Sequence, residues 1–202
     1  MGAISHTMNA PPPITDPWVL PSRGRAGMIA LIITDSAFFT IFVTAYVFYI
    51  GKSLTRPYPY EVLSYPVLNT ICLLSSSLTI VVAVRALRQG AIRRFALWWF
   101  LTLALGIEFL IGTSREWHRL IYQAGLTLRT NLFGTTYYSL VGLHALHVTI
   151  GATAIALVMG LTWSGAVTQE HAERVEVLSW YWHFVDAVWV VVFLTVHVIS
   201  TR

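Results

Sequence analysis

Two pairs of side chains in this sequence have the types and the spacing to do chemistry. His144 and His147 lie three residues apart in the apolar run 133–161, and His183 and Asp186 lie three apart in the run 177–199. On a helix that spacing puts both members of a pair on one face. HxxH facing HxxD resembles the way helix bundles build metal sites from residues at i and i+3. A di-metal site usually takes more carboxylates and histidines than these at one level, and a bis-histidine haem takes one imidazole from each of two helices with small residues making room. The plainer reading makes them internal hydrogen-bonding groups that fix helix packing. Cys72 is the only cysteine, so there is no disulfide framework and no CxxC motif.

The elements that must position these groups follow from composition. Hydrophobic residues make up 56% of the 202, charged residues only 11%, and the mean hydropathy is +0.66. Those proportions describe a membrane protein. A bilayer core takes about 20 helical residues to cross, and apolar runs of that order fall at 28–50, 66–84, 95–113, 133–161 and 177–199. We therefore expect an all-α integral membrane bundle of five transmembrane helices, one domain over 28–202, after a polar, proline-rich tail over 1–27. The tail has no apolar core ahead of a small-residue cleavage site and is not expected to be a signal peptide.

The formal charge of +4 and the pI near 9.5 do not point to nucleic acid, because the basic residues are scattered among short loops. They read as topology signals. The loop "RALRQGAIRR" carries four arginines close to two helix ends, which are hard to translocate, so the N-terminus is expected in the cytoplasm and the C-terminus outside. At 1.5 Å per residue, Asp35, His147 and His183 then share a level roughly 10 Å from the cytoplasmic end, with His144 and Asp186 one layer deeper. Ionisable groups at such depth pair or serve a function, and Asp35 and His147 are expected to touch and could share one proton. Glu108 stands nearer the outside and is expected to hydrogen-bond inside the bundle rather than face a neighbouring subunit.

Other features have ordinary membrane readings. Trp98, Trp99, Trp117, Trp163, Trp180 and Trp182 fall at or near predicted interfaces, as in an aromatic belt. The serines at 75–77 and Gly142 and Gly151 read as close-packing residues. The arginine loop could hold lipid phosphate.

Longer motifs then resemble a known family. "FGTTYYSLVGLHALHVTIG" at 133–151 and "EVLSWYWHFVDAVW" at 176–189 are similar to the FGS-TFF-x-x-x-G-F-H-G-L-H-V and WYWHFVD-x-VW segments of subunit III of the haem-copper oxidases, the family best known from cytochrome c oxidase. "PVLNTICLLSSSLT" at 66–79, "EW" at 116–117 and "TDSAFFTIF" at 34–42 resemble its further segments, so the likeness runs over about residues 24 to 200.

The resemblance implies a short, five-helix subunit III of a proton-pumping aerobic oxidase in a bacterial-type inner membrane, without the two N-terminal helices of the seven-helix form. Such a subunit has no catalytic residue, binds no metal or cofactor itself, packs on subunit I in a complex with subunit II that holds the haem and copper, and supports stability and proton uptake. Its structural or proton-accessible polar residues would be Asp35, His144, His147, His183, Asp186, Glu116 and Glu176. Structural phospholipid would be met by Arg85, Arg93, Arg94 and Trp182. Asp35 matches the family's carbodiimide-reactive carboxylate, usually Glu; the shorter Asp needs a closer partner or a bridging water. Alternatives are a quinol oxidase subunit III, a nitric oxide reductase accessory subunit or, in a different class, a stand-alone membrane metalloenzyme using His144, His147, His183 and Asp186.

Overall fold

The structure, a computed structural model, describes residues 22–200. It contains α1 (Arg23–Tyr49), a single turn α2 (Pro59–Val62), α3 (Val67–Arg88), α4 (Ile92–Tyr122), α5 (Leu132–Trp163) and α6 (Ala172–Phe193). A 3-10 turn, Gln169–His171, leads into α6, and a π-helical stretch, Leu194–Ile199, continues it. No strand occurs among the described residues. Five of these elements are long and apolar enough to cross a membrane: α1, α3, α4, α5 and the continuous run Gln169–Ile199.

The helices outrun the apolar spans that the sequence delimits. α1 starts at Arg23 rather than 28, α4 continues to Tyr122 rather than 113, and helical backbone precedes 177 back to Gln169. Hydropathy falls where a helix meets headgroups and water, yet its backbone hydrogen bonds continue. The additional turns carry the charges: Arg23 and Arg25, then Arg115, Glu116 and Arg119, then Glu173 and Glu176. At 31 residues, α4 is roughly 46 Å long, well beyond a hydrocarbon core of about 30 Å. Most of the tail expected over 1–27 lies outside the described residues.

α3 and α4 form an antiparallel hairpin that turns at Gly90, whose φ of 72° lies in the left-handed region that glycine enters without penalty. α3 also packs on α6, α4 on α5, and α5 on α6, while α1 lies against α5 and α6. α5 starts from a built cap: Asn131 Oδ1 accepts from the Gly134 amide at 2.8 Å, while its Nδ2 donates to the carbonyls of Thr55 and Pro57. That side chain ties the loop after α1 to the start of α5.

Trp182 forms the centre of the bundle. It is fully buried, and its Nε1 donates to Ser76 Oγ at 2.8 Å. A Cβ at Gly106 of α4 or at Gly151 of α5 would come within 2.8 Å of its ring, so both glycines exist there to admit the indole between three helices. Trp99 is likewise buried and donates to the Ile155 carbonyl at 2.9 Å. These two tryptophans do not belong to an interfacial belt. α1 is the opposite case, since only Phe39 and Tyr46 along its length are buried. Lipid is as apolar as a protein core, so an exposed apolar helix costs nothing there and a few specific contacts set its place.

Candidate functional site

The polar residues singled out by sequence do not form one cluster. The structure separates them into two deep groups, one isolated imidazole and two sets at opposite ends of the bundle.

The first deep group joins α1 to α5. His147 Nε2 stands 3.5 Å from Asp35 Oδ2, and both side chains are mostly buried. The other ring nitrogen, Nδ1, lies 2.8 Å from the Leu143 carbonyl one turn earlier. A carbonyl only accepts, so Nδ1 carries a proton. For Nε2 to engage Asp35, one further proton must lie between them, either on the acid or on the ring as imidazolium. At 3.5 Å the contact is longer than a good direct hydrogen bond. Phe39 covers the pair, its ring 4.8 Å from that of His147, and the Tyr181 hydroxyl of α6 donates to the His147 carbonyl at 3.3 Å.

The second deep group joins α6 to α3. Ser77 Oγ donates to Asp186 Oδ2 in a short hydrogen bond and lies 3.0 Å from His183 Nδ1. A hydroxyl has one proton to give, so when Asp186 receives it, His183 must donate from Nδ1 into the Ser77 oxygen. With a protonated Asp186 the chain runs the other way, from acid to hydroxyl to imidazole. The trio can therefore hold a proton in two arrangements without moving a heavy atom far. Sequence reasoning missed Ser77, having assigned the serine run to packing alone. Three consecutive serines point in three directions on a helix; Ser76 meets Trp182 and Ser77 meets His183 and Asp186, and nothing in the run marks which serine takes which partner.

His144 makes no such bond. It is fully buried, and neither ring nitrogen has a hydrogen-bond partner among the described residues. Aromatic rings surround it: Phe109 edge-on at 5.6 Å, Trp189 at 5.0 Å and Phe39 at 6.5 Å. The expectation of a hydrogen-bonding role gives way here to aromatic packing, because the neighbours on α1, α4 and α6 at this level are rings. Among the described residues, no three His, Cys, Asp or Glu side chains come together as a metal-holding set. HxxH and HxxD do not face one another as one site.

Glu116 and Glu176 lie at opposite ends of α3, far from the deep groups. Glu116 pairs with Arg119 at 2.5 Å, and both meet Ser64 just ahead of α3. Arg119 also donates to the Val62 carbonyl at 2.8 Å. Glu176 takes Arg88, in the last turn of α3, at 2.5 Å and Arg25 of α1 at 3.9 Å. Arg25 in turn reaches Glu173 at 3.2 Å. These sets tie helix ends together where water and headgroups lower the cost of charge. Arg85, Arg93 and Arg94 are exposed at that same Glu176 end. Trp182 cannot join them on lipid, since its ring is sealed in the core. Glu108, read as bonding inside the bundle, instead points along its own helix to Arg115, 3.8 Å away.

Comparison with known proteins converges on one family. A family model described as cytochrome c oxidase subunit III matches residues 22–201. Among curated relatives, cytochrome c oxidase subunit 3 of Dugong dugon is 31% identical over 184 residues, and those of Hippopotamus amphibius and Tragelaphus imberbis are 32% and 33% identical. Each alignment covers 86% of this chain and 68% of the relative.

Proposed function

Because the chain belongs to the cytochrome c oxidase subunit III family, we propose that it is the subunit III of a proton-pumping aerobic respiratory oxidase, with cytochrome c as electron donor. The chain is a multi-pass membrane protein, and its relatives are a subunit of an oxidoreductase complex. In this reading the chain carries no redox centre, packs on subunit I, and leaves haem and copper to its partners. It lies in a bacterial-type inner membrane with the loop 85–94 in the cytoplasm, where Arg85, Arg93 and Arg94 meet lipid phosphates.

The observation that carries this reading is the Asp35–His147 pair. The residue that matches the family's membrane carboxylate lies 3.5 Å from an imidazole whose Nδ1 already holds a proton. Such a pair can take up and release one proton at constant geometry, and it joins the loosely packed α1 to the rest of the bundle. The role that follows is support: α1 stays seated and a proton stays available beside the catalytic subunit during sustained turnover.

The test is oxygen consumption by the purified complex carrying Asp35→Ala. The initial rate should match wild type, while activity decays faster with each turnover as the helix contact loosens. Immediate loss of activity with the subunit still bound would overturn the proposal, as would decay indistinguishable from wild type.

A further inference from the structure

We infer that the end of the bundle opposite the arginine loop carries a phospholipid site, in the groove between the last turns of α4 and the segment that leads into α5. The groove encloses about 450 Å³ and is lined by Trp117, Ile121, Thr127, Leu128, Arg129 and Tyr138, a volume within the roughly 300–1,000 Å³ usual for ligand clefts. Neither the deep polar groups nor the exposed arginines at the other end contribute to it.

Its walls are fixed before any ligand arrives. The Tyr138 hydroxyl donates to the Leu126 carbonyl at 2.9 Å, and Thr135 Oγ1 donates to the Leu128 carbonyl at 2.7 Å. Thr130 Oγ1 accepts from the Thr127 amide and donates to the Gly125 carbonyl, both at 2.9 Å. Leu126 is completely buried and anchors the segment beneath the groove. Trp117 packs edge-on against Tyr138, ring centres 5.6 Å apart, and closes the α4 side.

The chemistry of the rim selects the occupant. Arg129 is exposed, its backbone amide is engaged by Thr127 Oγ1 at 3.3 Å, and its guanidinium has no acidic partner among the described residues. Segment 123–131 contains no Asp or Glu at all, whereas Arg119 and Arg115 on the adjoining helix each have a carboxylate. The rest of the lining is Ile121, Leu128, Thr127 and the two aromatic residues Trp117 and Tyr138. An unpaired guanidinium beside an apolar trough, at the end of the bundle where α4 runs out into a loop, matches a glycerophospholipid: phosphate on Arg129, acyl chain along Ile121 and Leu128. Free phosphate would leave the trough unfilled.

Native mass spectrometry of the intact complex tests this, with phosphatidylglycerol or phosphatidylcholine titrated onto delipidated protein. Wild type should show a tight binding step with preference for phosphatidylglycerol, read as the difference from the variants below. Arg129→Gln, an exposed change that leaves the fold alone, should weaken phosphatidylglycerol about five-fold. Ile121→Trp should fill the trough and abolish retention of both lipids, and inorganic phosphate should not compete. Unchanged lipid retention in both variants overturns the proposal. So does cross-linking from Leu128→Cys to a polypeptide rather than a lipid, which would make the groove a protein interface.

Discussion

His147 faces Asp35 through Nε2 at 3.5 Å while its Nδ1 is committed to the Leu143 carbonyl. The shared proton on that contact makes the choice of substitution informative. Asp35→Asn offers an N–H to Nε2 and keeps the bond, whereas Asp35→Ala leaves Nε2 buried without a partner, on the order of 1–3 kcal/mol less stable. In detergent titration of the complex, Ala should release the subunit earlier and Asn should stay within about 0.5 kcal/mol of wild type. Equal losses for the two variants would mean that the helix contact does not rest on this bond.

Ser77 is the residue that sequence reasoning passed over, and it supplies the next prediction. Removing its hydroxyl strips Asp186 and His183 of their common partner, so Ser77→Ala should destabilise the α3–α6 contact by about 1–3 kcal/mol. Ser75→Ala, two positions away in the same serine run, should cost no more than about 0.5 kcal/mol. A double-mutant cycle between Ser77→Ala and Asp186→Asn should show coupling of at least about 0.5 kcal/mol. Strict additivity would remove the proposed trio.

What the sequence could and could not disclose divides along a physical line. Five apolar runs disclosed five helices, because crossing hydrocarbon demands length and composition and little else. The direction in which each helix faces was not legible from periodicity, since lipid and protein core reward the same side chains; α1, with two buried residues, shows how weak that signal is. Depth arithmetic placed Asp35 and His147 on one level, where they do meet, because α1 and α5 are adjacent. It misplaced Trp182, because it started the last helix at 177, whereas helical backbone begins at Gln169 and carries the indole deeper. The motif resemblance located the family without locating a single contact.

Trp182 yields a third prediction. Gly151→Ala puts a methyl group 2.8 Å from its ring and should cost about 1–3 kcal/mol through overpacking. Gly160→Ala, on the same helix with nothing within 4 Å of the added Cβ, should be neutral or stabilising by up to about 1 kcal/mol. Thermal unfolding in detergent, followed by tryptophan fluorescence, compares them directly. Matching midpoints would show that the indole has room to move.

Orientation gives the last prediction. In a Cys72→Ser background, which removes the chain's only cysteine, a cysteine at exposed Gln89 should react with a membrane-impermeant maleimide only from the cytoplasmic side, and one at exposed Gln123 only from the outside. The reverse pattern would invert the placement of the arginine loop and move the proposed lipid groove to the cytoplasmic leaflet.

The Tyr46 hydroxyl of α1 donates to Ser200 Oγ at 3.0 Å across 154 residues of chain. Tyr46 is one of the two residues that α1 buries, so part of that helix's anchorage is made by a residue synthesised 154 positions after it. During synthesis the first span enters the bilayer with no neighbour to hold it. Contacts with α5 and α6 come later in synthesis, and the Tyr46 hydrogen bond forms only when translation has passed Ser200. A chain released early would present the insertion machinery and membrane proteases with a loose first helix.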